Sequence, residues 1–336
     1  MEDRKLATIQ VTKDIRSIPD ADSIDVCDIK GWHCVVKKGE FNIGDKIVFV
    51  EVDSVLPHTN PVFEFMRDRK FRVKTLKLRK QVSQGLVFPT SILPVDAEPL
   101  YEGVDVTELL GIIKYEPPIP AQLMGQIIGN FPTYLVPKTD EERCQNYGDM
   151  LDKYSGIECG YCEKLDGSSF TAILNDGKFR ICSRNLELAE TEGNAYWKAA
   201  RLENIEGKLK DCGIQNVALQ GELIGMGIQG NKYALNQIEI WAFNIFDIDN
   251  QKYLSNEEVT KFCNDNGFKR VPVLGTVNIT SDIDSLVELS KGKSKLNPKR
   301  NREGIVIRSV NEIHDPEYGR FSFKCINPDF LLKDEE

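Results

Sequence analysis

The chain has 336 residues, 41% of them hydrophobic and 28% charged, with a formal net charge of -9. This profile excludes a disordered chain and a uniformly basic, histone-like binder of nucleic acid, and the length suits two domains better than one small core. The start, MEDRKLATIQ, lacks an apolar h-region, and no run approaches the ~20 apolar residues of a membrane helix; a protein of the cytosol or nucleus is expected, neither secreted nor membrane-bound.

Residues 1–94 read as short strands, such as WHCVVKKG and DKIVFVEVDSVLP, broken by turn signals at Pro19-Asp20, Lys38-Gly39 and Gly44-Asp45. Several short strands at this spacing, without a strong helix, predict a small closed β-barrel. The run from Arg67 to Lys80 carries eight Lys/Arg against one Asp, a net of +7. On a strand its basic residues would alternate with apolar ones, one face inward and the other toward phosphate. Arg72, Lys74, Lys77 and Arg79 are the candidate nucleic-acid contacts. A second run, Lys291 to Arg302, has six basic residues and no acid. Screening confines each field to about 8–10 Å, so an acidic chain can still hold phosphate at such stripes.

Tyr115 to Pro132 is rich in Pro and Gly and reads as the linker, dividing the chain into 1–118 and 119–336. The next segment, PKTDEERCQNYGDMLDKY, predicts a helix with Thr139 as N-cap and Glu142 closing a capping box. A β-rich stretch comes next over 157–247, interrupted by a helix near 189–211. A helix from about 255 to 266 and strands around 271, 304 and 321 complete the chain. Trp32 and Trp241 are expected in cores. Of nine cysteines only Cys159 and Cys162 form a C-x-x-C pair, with nothing nearby to complete a zinc site, so free thiols in a reducing compartment are expected. The three histidines, His33, His58 and His314, lie in no catalytic pattern, which disfavours a histidine-based triad. Gly225-x-Gly227-x-x-Gly230 precedes β-type sequence rather than a helix, so it reads as a tight turn, not a dinucleotide fingerprint.

The chemistry centres on Glu163-Lys164-Leu165-Asp166-Gly167-Ser168-Ser169, where one strand-like run ends and another begins. A lysine is nucleophilic only as the free amine, which calls for burial or neighbouring cations to depress its pKa. The adjacent glycine would let a phosphate approach the backbone. A lone K-x-D-G is weak, but it heads an ordered series: Ser183-Arg184-Asn185, Gln220-Gly221-Glu222-Leu223, Trp241 to Asp247, Arg302-Glu303-Gly304 through Arg308, and Ser322-Phe323-Lys324. Over about 164–333 this series resembles the covalent nucleotidyltransferases, namely DNA ligases, RNA ligases and mRNA capping enzymes. Together with GEFNIGDKIVFVEVDSVLP, KLRKQVSQGLVFP, PKTDEERCQN, QGELIGMGIQGNKY and SFKCINPDFLLK, nearly the whole chain is similar to the Deinococcus- and Naegleria-type ATP-dependent RNA ligases.

The resemblance implies an α+β protein: an N-terminal OB-type β-barrel, then a covalent nucleotidyltransferase domain of ATP-grasp-like antiparallel sheets with flanking helices. It implies sealing of 3′-OH and 5′-phosphate ends, with nicks in RNA or RNA-containing duplexes as substrate, RNA repair as the setting, and a monomer as the working form. Lys164 would take AMP from ATP; Lys324 would neutralise the α-phosphate. Glu303, with Asp166 as a second candidate, would hold Mg2+ or Mn2+. Arg184 and Arg143 would meet phosphate, Glu222 the ribose, and Glu163, Leu165 and Gly167 would line the nucleotide site. Phe246 would stack on adenine, while Phe243, three residues away, would face the core. Many of these enzymes carry Lys-x-Lys in the last motif; here Ser322 takes the first position, leaving Lys324 alone or aided by Lys333 or Arg320. A DNA ligase, a GTP-using capping-type enzyme and an inactive domain behind a tRNA-binding-like OB module remain the alternatives, although capping enzymes place their OB module after the catalytic motifs.

Overall fold

The computed structural model describes residues 4–95, 97, 100–116 and 126–332. The chain forms two compact units, one drawn from Met1–Pro118 with Leu331–Glu336 and the other from Ile119–Phe330. Much of the expected linker, residues 117–125, lies outside the described residues, but Ile127–Asn130 within it pairs as an edge strand with Leu186–Leu188.

In the first unit, Lys46–Val50 runs between Ala7–Val11 and Leu86–Pro89, antiparallel to both. Asp14–Ser17, Ile24–Ile29 and Trp32–Lys37 form a second antiparallel sheet. The Lys46–Val50 strand is buried on both faces. Val48 and Val50 join one apolar cluster with Ile9, Leu56 and Phe63, whereas Ile47 and Phe49 join another around Trp32. A nine-residue 3-10 helix, Pro61–Arg69, capped by the Asn60 side chain, was not legible in the strand-like sequence.

That helix overturns the reading of 67–80 as one long amphipathic strand. The first part of the run belongs to the helix, Lys70 and Phe71 take left-handed conformations, and only Thr75–Leu78 is a strand, paired with Gln81–Gln84. Arg72 is half-buried, its guanidinium 3.5 Å from the centre of the Tyr115 ring and 3.4 Å from the Asp53 carboxylate. Lys74, Lys77 and Arg79 are exposed. The two-residue loop Arg79-Lys80 has positive φ at both positions, 49° and 68°, the geometry of a type I′ hairpin turn.

The second unit is two sheets with helices outside. The larger has the order Ile127–Asn130, Leu186–Leu188, Lys178–Cys182, Ser168–Asn175, Val217–Gly225, Ile238–Asp247, Lys252–Tyr253, all antiparallel. One face is covered by the helices Ala195–Leu202, Ile205–Asp211 and Asn256–Asn266, which bury Phe170, Leu219, Leu223, Ala242 and Ile245 beneath Trp197, Leu209 and Phe262. The single helix expected near 189–211 is thus two, divided at Glu203-Asn204, where Asn204 is left-handed. Asn256–Asn266 matches the expected element, started by a Ser255–Glu258 capping box. The smaller sheet has the order Glu142–Arg143, Ser322–Ile326, Gly304–Ser309, Glu158–Lys164, Val273–Asn278. Its outer face packs on the helices Gly148–Lys153 and Ile283–Ser290.

Thr139 starts no helix. Its hydroxyl hydrogen-bonds Ser169, and Glu142–Arg143 pairs in parallel with Phe323–Lys324, so sheet pairing takes the segment that the capping pattern assigns to a helix. Instead Glu142 Oε1 accepts from the Arg143 amide and from Asn146.

A β-bulge between Val217–Gly225 and Ile238–Asp247 sets which side chains of the second strand share a face with Glu222. Glu222 pairs with Trp241, Gly221 with Ala242 and Gln220 with Asn244, so Phe243 is the extra residue. Gly221 permits this close approach: a Cβ there would lie 2.7 Å from the Trp241 carbonyl oxygen and 3.2 Å from Ala242 Cα. Gly221→Ala should therefore cost about 1–3 kcal/mol by overpacking, read as a lower urea midpoint; an unchanged midpoint would mean the bulge yields freely.

Candidate active site

The chain passes from the smaller sheet to the larger through Leu165-Asp166-Gly167, between the strands Glu158–Lys164 and Ser168–Asn175. Lys164 is the last residue of its strand and pairs with Gly304, which brings Glu303 alongside. Lys164 Nζ donates to Glu303 Oε1 at 2.6 Å. Leu165 is buried with Cys162 and Ile224, an anchor for the turn. Gly167 is required by packing more than by room for phosphate: a Cβ would lie 2.3 Å from the Leu223 carbonyl oxygen and 3.0 Å from Glu222 Cγ. The Gly167 amide donates to Glu222 Oε1 at 3.1 Å, so the turn itself orients that carboxylate.

Three carboxylates therefore surround one lysine. Burial pulls the Lys164 ammonium toward neutrality, but Glu303, Glu222 and Asp166 outweigh it and hold its pKa above the usual lysine value. The expected depressed pKa is not what this state has; Lys164 is charged. The same crowding acts on its neighbours. Burial, reinforced by Glu303 and Asp166, pushes Glu222 up to about 8 against the opposing pull of Lys164. Glu303 is also raised by burial, against the opposing pull of Lys164 and Lys324. Water is not shut out: the Lys164 and Glu303 side chains keep 27% and 17% exposure.

The other expected residues divide. Asp166 belongs to the cluster, but its carboxylate holds Lys232 and its amide donates to the Tyr233 hydroxyl at 2.6 Å, so it is already engaged. Glu163 points away from Lys164, as strand alternation demands. Its buried carboxylate accepts from the Lys295 amide at 2.7 Å, so its side chain fixes a loop rather than lining the nucleotide site. Lys324 lies on the face of the smaller sheet shared by Cys162 and Val306, as does Arg143, which is buried. Arg184 pairs with Asp140 at the surface.

Phe246 packs apart from the cluster of Leu165 and Ile224. The bulge at Phe243 shifts the alternation, so both rings fall on the Glu222 face rather than on opposite faces. Phe246 sits opposite Ala218, four residues or about 13 Å along the strand from Glu222. It is buried against Phe131 and Ile173, its ring 4.9 Å from that of Tyr253. Phe243 is half-buried in the cluster of Leu165 and Ile224, beside the lysine. Trp241 is likewise half-buried there rather than sealed in a core, its Nε1 donating to Glu239.

At Ser322 the structure supplies a neighbour from the motif that begins at Arg302. Arg308, 4% exposed, donates from Nε to Ser322 Oγ at 3.1 Å and from Nη2 to Glu141 at 3.0 Å, with its guanidinium 6.0 Å from the Phe243 ring. Arg320, a candidate replacement charge, is instead held by Glu312 and stacked on Tyr253; Lys333 lies outside the described residues. The glycine run after Glu222 closes a turn with no helix after it. Lys232 and Tyr233, directly after that run, escape sequence reasoning because nothing in a lysine-tyrosine pair signals that it returns to an Asp-Gly turn 66 residues earlier.

A family model described as RNA ligase matches residues 158–326, and one described as an OB-fold domain matches residues 6–90. No curated protein matches the chain. Among solved structures, Naegleria gruberi RNA ligase with PPi is 39% identical over 99% of each chain, with a TM-score of 0.89. An apo mutant of that ligase is 37% identical over 100% of this chain and 99% of that one, with a TM-score of 0.90. Another mutant, solved with ATP and Mn, is 38% identical over 99% of each chain, with a TM-score of 0.89. Fold and site together define an OB-fold domain followed by a ligase-type nucleotidyltransferase domain. The chain belongs to the RNA ligase family, and the enzyme is an RNA ligase, which sets aside the capping-type, DNA-ligase and inactive readings.

The raised Glu222 pKa gives stability a definite pH dependence. Between its unfolded value near 4.5 and its folded value of about 8, the folded state binds the proton more tightly, so this contribution is present at low pH and lost as pH rises through that window. Urea midpoints between pH 5 and 8 should fall less steeply for Glu222→Gln than for the wild type; equal slopes would mean Glu222 titrates normally.

Proposed function

We propose that the enzyme seals a 3′-OH to a 5′-phosphate in nicked RNA-containing duplexes, as in RNA repair, through a lysyl-AMP intermediate on Lys164. The observation that carries this reading is the Lys164–Glu303 contact at 2.6 Å, with Glu222 oriented beside it by the Gly167 amide. The related Naegleria ligase has been solved with ATP and Mn, with AMP and Mn, and with PPi, which supports ATP as the nucleotide here.

The first step forms a bond from Lys164 Nζ to the α-phosphorus and breaks the α–β anhydride, whose electron pair leaves with pyrophosphate. Among the influences that keep Lys164 protonated, Glu303 is the largest. Committing the Glu303 charge elsewhere removes that influence and moves the balance toward the free amine that burial favours. In the second step an oxygen of the RNA 5′-phosphate attacks the adenylate phosphorus, and the P–N bond breaks back to lysine. In the third the 3′-OH attacks the 5′-phosphate and AMP departs. Lys324 supplies positive charge where the α-phosphate gains negative charge. Glu222, titrating near 8, can donate to or accept from a ribose hydroxyl. Phe243 stacks on the base.

A divalent cation fits this donor set. Glu303 Oε2 is buried with no hydrogen-bond partner, an oxygen left over after Lys164 has taken the other. Among the described residues no group of three or more His, Cys, Asp or Glu could cage a metal, so Glu303 would hold Mg2+ or Mn2+ together with waters and phosphate oxygens. The cation would supply charge neutralisation to the triphosphate.

Mass spectrometry of the protein mixed with ATP and Mn2+ should show the gain of one AMP at position 164. Lys164→Ala should lose it while unfolding normally; an adduct persisting elsewhere would remove the basis of this reading. Phe243→Ala should raise the KM for ATP by about 5- to 100-fold, the equivalent of ~1–3 kcal/mol of stacking. Phe246→Ala should chiefly lower stability, and the reverse pattern would return the stacking role to Phe246.

A further inference from the structure

The second basic run of the sequence, Lys291 to Arg302, supplies none of the residues assigned above to the transfer of AMP to Lys164. It is an ordered loop. Ser294 and Arg300 are joined by a backbone hydrogen bond, Arg302 and Gly292 by another, and Lys293 and Asn301 by a bridge. The buried Ser294 hydroxyl accepts from the amides of Leu296 and Asn297. The Arg302 guanidinium closes the carbonyl end of the helix Ile283–Ser290, donating to Leu289, Ser290 and Lys291.

The loop is also fastened on both sides of the Lys164 strand end. The Lys295 amide is held by the Glu163 carboxylate on one side. On the other, Leu296 packs with Leu165 and Phe243, and Asn297 donates to the Lys232 carbonyl at 2.8 Å. Its backbone is therefore tied to the residue next to the nucleophile and leads directly into Glu303.

Lys295, Lys299 and Arg300 are exposed, and none has a side-chain ion pair among the described residues, whereas exposed cations such as Arg201, Lys210 and Lys261 hold an acid. Three like charges on an ordered loop are pre-organised for a polyanion: little loop entropy remains to be lost on binding.

We propose that the loop 292–302 is a phosphate cradle for the polynucleotide backbone next to the end being joined, gripping it through Lys295, Lys299 and Arg300. This rests on the reading of the chain as an end-joining ligase. ATP and pyrophosphate share the phosphate chemistry, so the experiment separates the sources. The full chain carrying Lys295→Gln, Lys299→Gln and Arg300→Gln is titrated against a nicked RNA duplex with a 5′-phosphate over a range of salt, and AMP adduct formation from ATP is followed in parallel. Binding should weaken more than tenfold at low salt, and the slope of log affinity against log salt should fall by roughly 2, at about 0.7–0.9 per lost contact. Adduct formation should be unchanged. Unaltered binding and slope would overturn the proposal, as would adduct formation falling in step with binding, which would give the loop to the nucleotide. Should the triple variant fail to fold, the three single variants must each lower the slope. Binding is read without chemistry, so a wild type that formed no AMP adduct would defeat the ligase reading and still leave the cradle to be judged by its own slope.

Discussion

The site depends on one amine held among three carboxylates at the end of a strand. Lys164, Glu303 and Glu222 come from different strands, and each is placed by backbone pairing rather than by its own rotamer. The Lys164–Gly304 pair sets Glu303 beside the amine, and Glu222 reaches it from the other sheet through the Gly167 amide. The same carboxylates that position the lysine keep it protonated. Attraction makes the site, and it leaves one buried oxygen of Glu303 without a hydrogen-bond partner.

The two-sheet architecture explains why such distant segments meet. The chain crosses from the smaller sheet to the larger at the three-residue turn after Lys164, so a side chain on either sheet need only face inward to reach the amine. Cys162, Val306 and Lys324 share the inward face of one sheet; Glu222, Trp241 and Phe243 share that of the other. The outward faces are plain hydrophobic cores under helices, with Leu219 and Ile245 on one side and Ile305 and Phe323 on the other.

The ordered motifs make the nucleophile and its acidic neighbours legible from sequence, because each motif contributes a residue type that the chemistry needs. What they cannot carry is geometry set by pairing. Phe243 and Phe246 do not fall on opposite faces, because strict alternation fails across a strand containing a bulge, and only Gly221, itself part of a motif, hints at the close approach that permits it. The Thr139 to Glu142 pattern satisfies a capping box, yet the edge of the smaller sheet claims the segment. The run 67–80 shows the same limit from another direction. Its charge is legible, but Asn60-Pro61 begins a helix that consumes the start of the run. The capping serine at 255, by contrast, faces no competing partner, and that helix lies where its sequence puts it.

The tip of the Thr75–Gln84 hairpin sets stability against charge. Both tip residues are left-handed, a conformation glycine or asparagine adopts far more easily than arginine or lysine. An Asn-Gly tip would relax the backbone, and evolution toward a sturdier domain would favour it. It would also strip two cations from the most prominent point of the hairpin, so the strained pair persists only where that electrostatic presence outweighs the ease of a better turn.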